Sequence, residues 1–310
     1  MGLAGWPAGN GLACDNLLSV DLVTADGTTL TASATDNADL FWGLRGGGGN
    51  FGIVTSFEYR LHPVGPLLAG PVFYPFAKAK EALALYRDFV TSIPDEVNTV
   101  AALMNSPDGE PIAAIVVCYN GSVGAGEKVL RPLRTFGPPL VDEVGPIPYC
   151  KVQTLFDEAF VRGRRYYFKS NFTRNISDEA IANLIERFAT APSPLSLVYF
   201  QQLGNVANRV GASETAFSHR AALCEWGCDA VWLDPAEDAA NIRWAREVAE
   251  AMRPFTMGSD YVNHIGLEAE EGTDRIKAAF GANYDRLVGL KNKYDPTNLF
   301  RHNQNIRPTV

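Results

Sequence analysis

Residues 39–65 read DLFWGLRGGGGNFGIVTSFEYRLHPVG, an apolar-aromatic run, four consecutive glycines and a β-branched stretch. Glycine loses more backbone freedom on ordering than any other residue. The run Gly46 to Gly49 therefore makes sense where the chain needs positive φ, or must lie against an object that leaves no room for a Cβ. A flexible surface loop is the plain alternative. The flanks favour the first reading. Leu40, Phe41, Trp42 and Leu44 are expected to be buried, and Arg45 opens the loop. FGIVTSFEY then reads as a strand, with Ile53, Thr55 and Phe57 on one face and Val54, Ser56 and Glu58 on the other. Backbone N–H groups in a loop held this way can form a nest for anionic oxygen without any basic side chain.

Composition narrows the class. The 310 residues, 46% hydrophobic and 20% charged, suffice for one large core or two medium ones. A net charge of -8 has the wrong sign for gripping a phosphate backbone, so no nucleic-acid partner is expected. The apolar run IAAIVVCY at 112–119 is far too short to span a bilayer and reads as a buried strand. The start, MGLAGWPAGNGLACDN, has neither the basic residues nor the apolar core of a signal peptide, so a soluble, cytoplasmic protein is expected. Five cysteines at unrelated spacings suggest neither a disulfide framework nor a zinc site. If ALCEWGCDAVWLD is a strand, the Cα atoms of Cys224 and Cys228 lie roughly 13 Å apart, beyond disulfide reach, and both are expected to be buried thiols. His62, His219, His264 and His302 show no HxH or HExxH spacing, so no metal site is expected.

Along the chain, NLLSVDLVTADGTTLTAS reads as a hairpin turning at Asp26-Gly27. Pro63, Pro66 and Pro71 mark a change of composition, read as a boundary. Beyond it, Ala77 to Ile93 is expected to be helical with Ala82, Leu85, Phe89 and Ile93 on the inner stripe, and Gly126 to Phe136 a short helix interrupted by Pro132. Strands are expected at Asn98–Met104, Ile112–Asn120 and Tyr166–Phe172, then in LSLVYFQQLG and ALCEWGCDAVWL. Ser177 is the N-cap of a helix that buries Ile181, Leu184, Ile185 and Phe188. Asp234-Pro235 opens another, with Ala240, Trp244, Val248 and Met252 inward. Hairpin-like turns with a few long crossover helices give an α+β fold, an antiparallel sheet covered by helices on one side.

The glycine stretch, GLACDNLLSVDLVTADG at 11–27 and YDPTNLFRHNQNIRP at 294–308, three motifs in order, together resemble the berberine-bridge-enzyme-like branch of the FAD-linked oxidases, flavoproteins of vanillyl-alcohol-oxidase type. The resemblance implies FAD as cofactor. It places Gly47, Gly48, Asn50, Gly52 and Ile53 beside the dinucleotide, with Asn303 and Asn305 near the isoalloxazine. It divides the chain into residues 1–64, part of the FAD-binding domain, 65–285, the substrate domain, and 286–310, a segment returning to the first. In SDYVNHIG the family's Tyr-x-Asn falls on Tyr261 and Asn263, which share a face if the segment is a strand. The resemblance gives Tyr261 the role of base. A phenol that ionises near 10 needs a neighbour to stabilise its phenolate, and Tyr167, Lys169 or Gln201 is expected to supply it.

Departures from the family pattern matter too. Family members carry an earlier arginine-glycine-glycine-histidine loop, whose histidine can join the flavin covalently, and often a linking cysteine. Neither has a counterpart here, so FAD is expected to be held non-covalently. A substrate sheet lacking its flavin half leaves apolar surface in water, so self-association or a complementing N-terminal flavin half-domain is expected. The implied activity is oxidation of a small-molecule alcohol, sugar hemiacetal or phenolic substrate by hydride transfer to flavin, with oxygen as acceptor. A cofactor-free scaffold, or a cofactor-independent enzyme on the same sheet, is the alternative.

Overall fold

A computed structural model describes residues 8–203, 205–266 and 272–310. Strand β1 (Leu17–Val23) turns into β2 (Thr29–Ser33), as the Asp26-Gly27 signal implies, with Gly27 at φ 82°. Helix α1 (Ala38–Leu44) and the glycine loop follow, and β3 (Ile53–Tyr59) returns to the other edge of β1. The small sheet is therefore β2-β1-β3, antiparallel throughout. Leu17, Val20 and Leu22 all point into its core, which alternation alone forbids. A register shift between Leu17 and Ser19 against β3 reverses the phase.

The large sheet is built by β4 (Leu67–Pro75), α2 (Ala79–Val90), β5 (Val97–Asn105), β6 (Pro111–Tyr119), α3 (Val123–Thr135), β7 (Val141–Asp142), β8 (Gly145–Ile147), α4 (Tyr149–Val152), β9 (Arg165–Thr173), α5 (Asp178–Phe188), β10 (Leu197–Gln202), β11 (Cys224–Trp232) and α6 (Asp238–Met252). Its strand order is β7-β4-β6-β5-β10-β11-β9, with β8 also on β4, and every pairing is antiparallel. As expected of the α+β fold, α2, α3, α5 and α6 cover one face, packing on residues such as Phe200, Trp226 and Trp232. Cys224 and Cys228 point into that core as free, buried thiols. Ser177 caps α5, its hydroxyl accepting from Ala180 N at 3.1 Å.

Three expectations need correction. Helix α2 turns a different stripe inward: Ala79, Ala82, Leu83, Tyr86 and Val90 are buried, while Leu85 and Phe89 are half-buried, because the Tyr86 hydroxyl reaches the Phe200 carbonyl at 3.0 Å and fixes the helix phase. Helix α3 runs from Val123 through Pro132 without a break; buried Leu130 and Leu133 hold it, and Tyr74 Oη donates to the Leu133 carbonyl. Helix α6 buries Asn241 and Ala245 beside Trp244, with Ala240 half-exposed. Strand β3 is exposed along most of its length, Ile53 at 59% and Phe57 at 57%, since it is a sheet edge.

Helices α7 (Gly272–Phe280) and α8 (Tyr284–Tyr294) return to the small sheet, where Phe280, Tyr284, Leu287 and Ile306 pack with Leu40, Trp42 and Phe51. Lys291 is fully buried there. Its ammonium donates to Asp295 Oδ2 (2.6 Å), Phe300 O (2.9 Å) and Asn50 O (3.0 Å). Asp295 also accepts from Leu299 N and Phe300 N. Among the described residues no helix is long and apolar enough to cross a membrane. Replacing Lys291 by methionine leaves Asp295 buried without its cation, so Lys291→Met should cost about 3–5 kcal/mol, read as a lowered urea midpoint; a loss below about 1 kcal/mol would show the pair to be dispensable.

Candidate active site

The face of the large sheet away from α2, α3, α5 and α6 is set by strand register. Glu225, Gly227 and Asp229 of β11 stand opposite Phe172, Ser170 and Phe168 of β9, and Glu225 and Gly227 also stand opposite Gln201 and Tyr199 of β10. Directly paired residues share a face, so these side chains form one surface, while Cys224, Trp226, Cys228 and Ala230 serve the helix-covered core. Gly227 is required: a Cβ there would lie 2.2 Å from Tyr199 Cζ. The phenol ring lies over this glycine, between Glu225 and Asp229 along the strand.

Register also separates residues that the sequence grouped together. Tyr167 and Lys169 stand opposite Ala230 and Cys228, on the helix side. Lys169 Nζ sits 4.8 Å from the Tyr167 ring centroid, and Arg246 of α6 donates to Tyr167 Oη at 3.1 Å. Neither belongs to the open face, which corrects their assignment as phenolate-stabilising neighbours. Gln201, half-buried, does lie on the open face.

The segment carrying Tyr261 crosses that face. It is not a strand: Met257 N and Ser259 O bond to Phe172 along the outer edge of β9, and Val262–His264 forms a single 3-10 turn. The turn, rather than alternation, brings the two residues together, and Asn263 Nδ2 donates to Tyr261 Oη at 2.8 Å. The same turn aims His264 inward. Its Nδ1 lies 2.8 Å from Glu225 Oε1 and 3.1 Å from Ser170 Oγ, and its ring meets that of Tyr261 edge-on, centroids 5.2 Å apart. Burial pushes the His264 imidazolium down, but the Glu225 bond and charge, with Asp229 behind, outweigh it and leave its pKa raised. Burial lifts Asp229 to about 7, against the pull of His264 and with Glu225 adding to the rise. His219 stacks on Phe172 at 4.7 Å. Its Nε2 donates to the Ala279 carbonyl, so its Nδ1 is the acceptor for Ser259 Oγ at 3.1 Å; burial lowers its pKa and keeps it neutral.

The glycine loop divides in two. Gly46, Gly47 and Gly52 face protein: a Cβ would meet Phe217 N at 2.3 Å, Gly43 O at 2.5 Å or Val23 O at 2.7 Å. Gly48 and Gly49 are exposed, with Gly48 at φ 73°. Asn50 holds the loop itself, donating to Gly47 O and Gln304 O and accepting from Ile306 N. Ile53 lies open at the start of β3. Asn303 Nδ2 donates to Gly49 O at 2.6 Å, and Gln304 Nε2 to Ile265 O at 2.9 Å, so the tail fastens the loop to the Tyr261 segment. The amide oxygens of Asn303 and Asn305 are buried without a hydrogen-bond partner among the described residues. An open positive-φ glycine beside two orphaned acceptors fits a planar, hydrogen-bonding cofactor such as a flavin.

Glu225, Asp229, His264, His219 and Tyr199 were not singled out from sequence. A signal was present in CEWGCDAVW, where acids four apart interrupt an apolar strand on the face of its one glycine.

The family model "Berberine and berberine like" matches residues 260–307, the span holding Tyr261 and both orphaned asparagines. An FAD-linked oxidoreductase of Dictyostelium discoideum is 31% identical over 304 residues, covering 96% of this chain and 64% of its own length. The (R)-6-hydroxynicotine oxidase of Paenarthrobacter nicotinovorans is 28% identical, over 96% of this chain and 67% of its own. In solved structures, the Arabidopsis thaliana BBE-like protein #28 superposes with a TM-score of 0.85 at 22% identity, over 98% of this chain and 69% of that one. The fold is that of the BBE-like structure, and the sequence is similar to FAD-linked oxidoreductases. The chain is similar to the berberine-bridge-enzyme-like FAD-linked oxidoreductases, and spans about 64% of the length of its Dictyostelium relative.

The buried acid gives a pH signature. An unfolded aspartate ionises near pH 4, whereas folded Asp229 does so at about 7. The native state thus binds the extra proton between those values, and this contribution to stability is lost as pH rises through them, by up to about 1.4 kcal/mol per unit. Relative to Asp229→Asn, wild-type stability should fall from pH 4 to 7 in urea titrations; parallel curves would mean that Asp229 is not proton-loaded.

Proposed function

We propose that this chain supplies the substrate face and part of the cofactor cradle of an FAD-dependent oxidoreductase acting on a small alcohol, sugar hemiacetal or phenolic substrate, with oxygen as acceptor. The observation that carries this reading is the fastening of an acid–base group to the glycine loop. Tyr261 is joined through Ile265, Gln304 and Asn303 to Gly49 by hydrogen bonds of 2.9 and 2.6 Å. Gly48 and Gly49 with the Asn303 and Asn305 amide oxygens would hold FAD, and the reading has it held non-covalently. FAD, when bound, supplies the two-electron, hydride-accepting chemistry.

The chain's own residues manage the proton. Tyr261 Oη takes it from the substrate hydroxyl, and the bond donated by Asn263 favours the phenolate that can do so. Gln201 and Tyr199, on the same face, line the substrate's side. The exposed strand β3 supports a covering layer, a complementing flavin half-domain or a second copy. The substrate panel holds sugars and phenolic alcohols.

Stopped-flow flavin reduction tests the role of Tyr261. Tyr261→Phe should keep the fold and slow reduction by roughly 10²–10⁴-fold, whereas Asn263→Ala should cost about 1–3 kcal/mol. Equal rates in wild type and Tyr261→Phe would remove the phenol from the mechanism. For the cradle, Gly48→Val adds a branched side chain at positive φ and should abolish FAD binding in a fluorescence titration of the folded chain. Unchanged affinity would make the loop an ordinary connection.

A further inference from the structure

We propose that Glu225, seconded by Asp229, is a positioning residue that holds His264 as an imidazolium edge-on to the Tyr261 ring, and thereby makes the Tyr261 phenol more acidic. This rests on the reading of Tyr261 as the base and adds the device that lets a phenol act near neutral pH.

Glu225 is the second residue of β11, with 1% of its surface exposed, and both carboxylate oxygens are buried without a hydrogen bond among the described residues. A desolvated carboxylate is costly unless a cation or several donors meet it. Among the described residues no lysine or arginine reaches Glu225. What reaches it is His264 Nδ1, 2.8 Å from Oε1, a charge-to-charge contact without hydrogen-bond alignment, and the charge on the ring is what offsets the buried carboxylate. Ser170 Oγ, 3.1 Å from the same nitrogen, fixes the ring from β9, and Phe168 flanks it with centroids 6.0 Å apart. Asp229, on the same face two positions along the alternation and 6% exposed, adds a second acid. Tyr199 from β10 lies between the two acids over Gly227. The groups facing His264 are thus the Glu225 carboxylate and the Asp229 carboxyl, which gains its charge only at about pH 7, from β11, a hydroxyl and a phenyl ring from β9, and the Tyr261 phenol of its own segment. This surrounding favours the cation.

Beyond the acids and Phe168, the imidazolium meets the Tyr261 ring 5.2 Å away. Positive charge beside a phenol favours its phenolate, in the same direction as the hydrogen bond from Asn263. Burial alone would raise a phenol's pKa, as it does for Tyr199 on the same face. Tyr261 differs from Tyr199 in having His264 and Asn263 against it.

The test uses the full chain without added cofactor. Histidine NMR titration reads His264, and ultraviolet difference titration against Tyr261→Phe reads the phenol. Glu225→Gln should weaken the proton affinity of His264 tenfold or more and raise the Tyr261 ionisation midpoint. Asp229→Asn should do the same to a smaller extent. His264→Phe should raise the Tyr261 midpoint without Glu225 being changed. Glu225→Asp, which keeps the charge one methylene further back, should restore part of both shifts; it also serves if Glu225→Gln does not fold. An unmoved His264 midpoint in Glu225→Gln, or a Tyr261 midpoint indifferent to His264→Phe, overturns the proposal. Unimpaired flavin reduction by Tyr261→Phe, with the two titrations shifting as stated, overturns only the assignment of Tyr261 as base.

Discussion

The ammonium of Lys291, without exposed surface, is the constraint on which the candidate site depends. Its three protons are spent on Asp295, Phe300 O and Asn50 O. Asp295 in turn accepts the first two N–H groups of the tail's turn, at Leu299 and Phe300. Burial pushes the Asp295 carboxyl up, but Lys291 and those two backbone donors outweigh it and hold its pKa below the usual range. An ion pair taken wholly out of water is tolerable only when every donor and acceptor is met, and here they are. Because Asn50 ends the glycine run, the pair fixes where the loop and the tail meet.

From that junction the geometry propagates outward by short hydrogen bonds. Asn50 binds the tail at Gln304 and Ile306, Asn303 binds Gly49, and Gln304 binds Ile265. The Tyr261 turn is thereby held from the glycine loop as well as from β9. A second buried pair acts on the far side: Arg220, 4% exposed, grips Asp15 through two nitrogens at 2.6 and 2.8 Å and adds Thr215 Oγ1. It anchors the loop that carries Phe217 and His219, against which Gly46 packs with no room for a side chain.

The large sheet shows how one strand serves two environments. Along β11, alternate residues enter a helix-covered apolar core, and the intervening ones bring two carboxylates to the other face. All nine residues of the strand are buried, so the polar alternates reflect a second layer rather than solvent. Buried acids must share protons or find cations, which explains why Asp229 stays protonated up to about 7 while His264 is held as the partner.

Much of this was legible in the sequence, because it rests on local chemistry. Alternating apolar residues, the Asp26-Gly27 turn and the Ser177 cap each act over a few residues, and they define the strands and α5 where expected. The glycine run was legible for the same reason, since Gly46 and Gly48 take positive φ. What depends on register was not legible. Tyr167 and Lys169 share a face with each other but not with Tyr261, and only the pairing of β9 with β11 decides which face that is. The Tyr261 segment is positioned by the backbone bonds of Met257 and Ser259 to Phe172, 85 and 87 positions away in sequence and adjacent in space. Glu225 and His264 are 39 residues apart, and their meeting at 2.8 Å exists only once β9, β11 and that turn are packed. A carboxylate announces its charge in sequence; whether that charge is buried, and against what, is decided by tertiary structure.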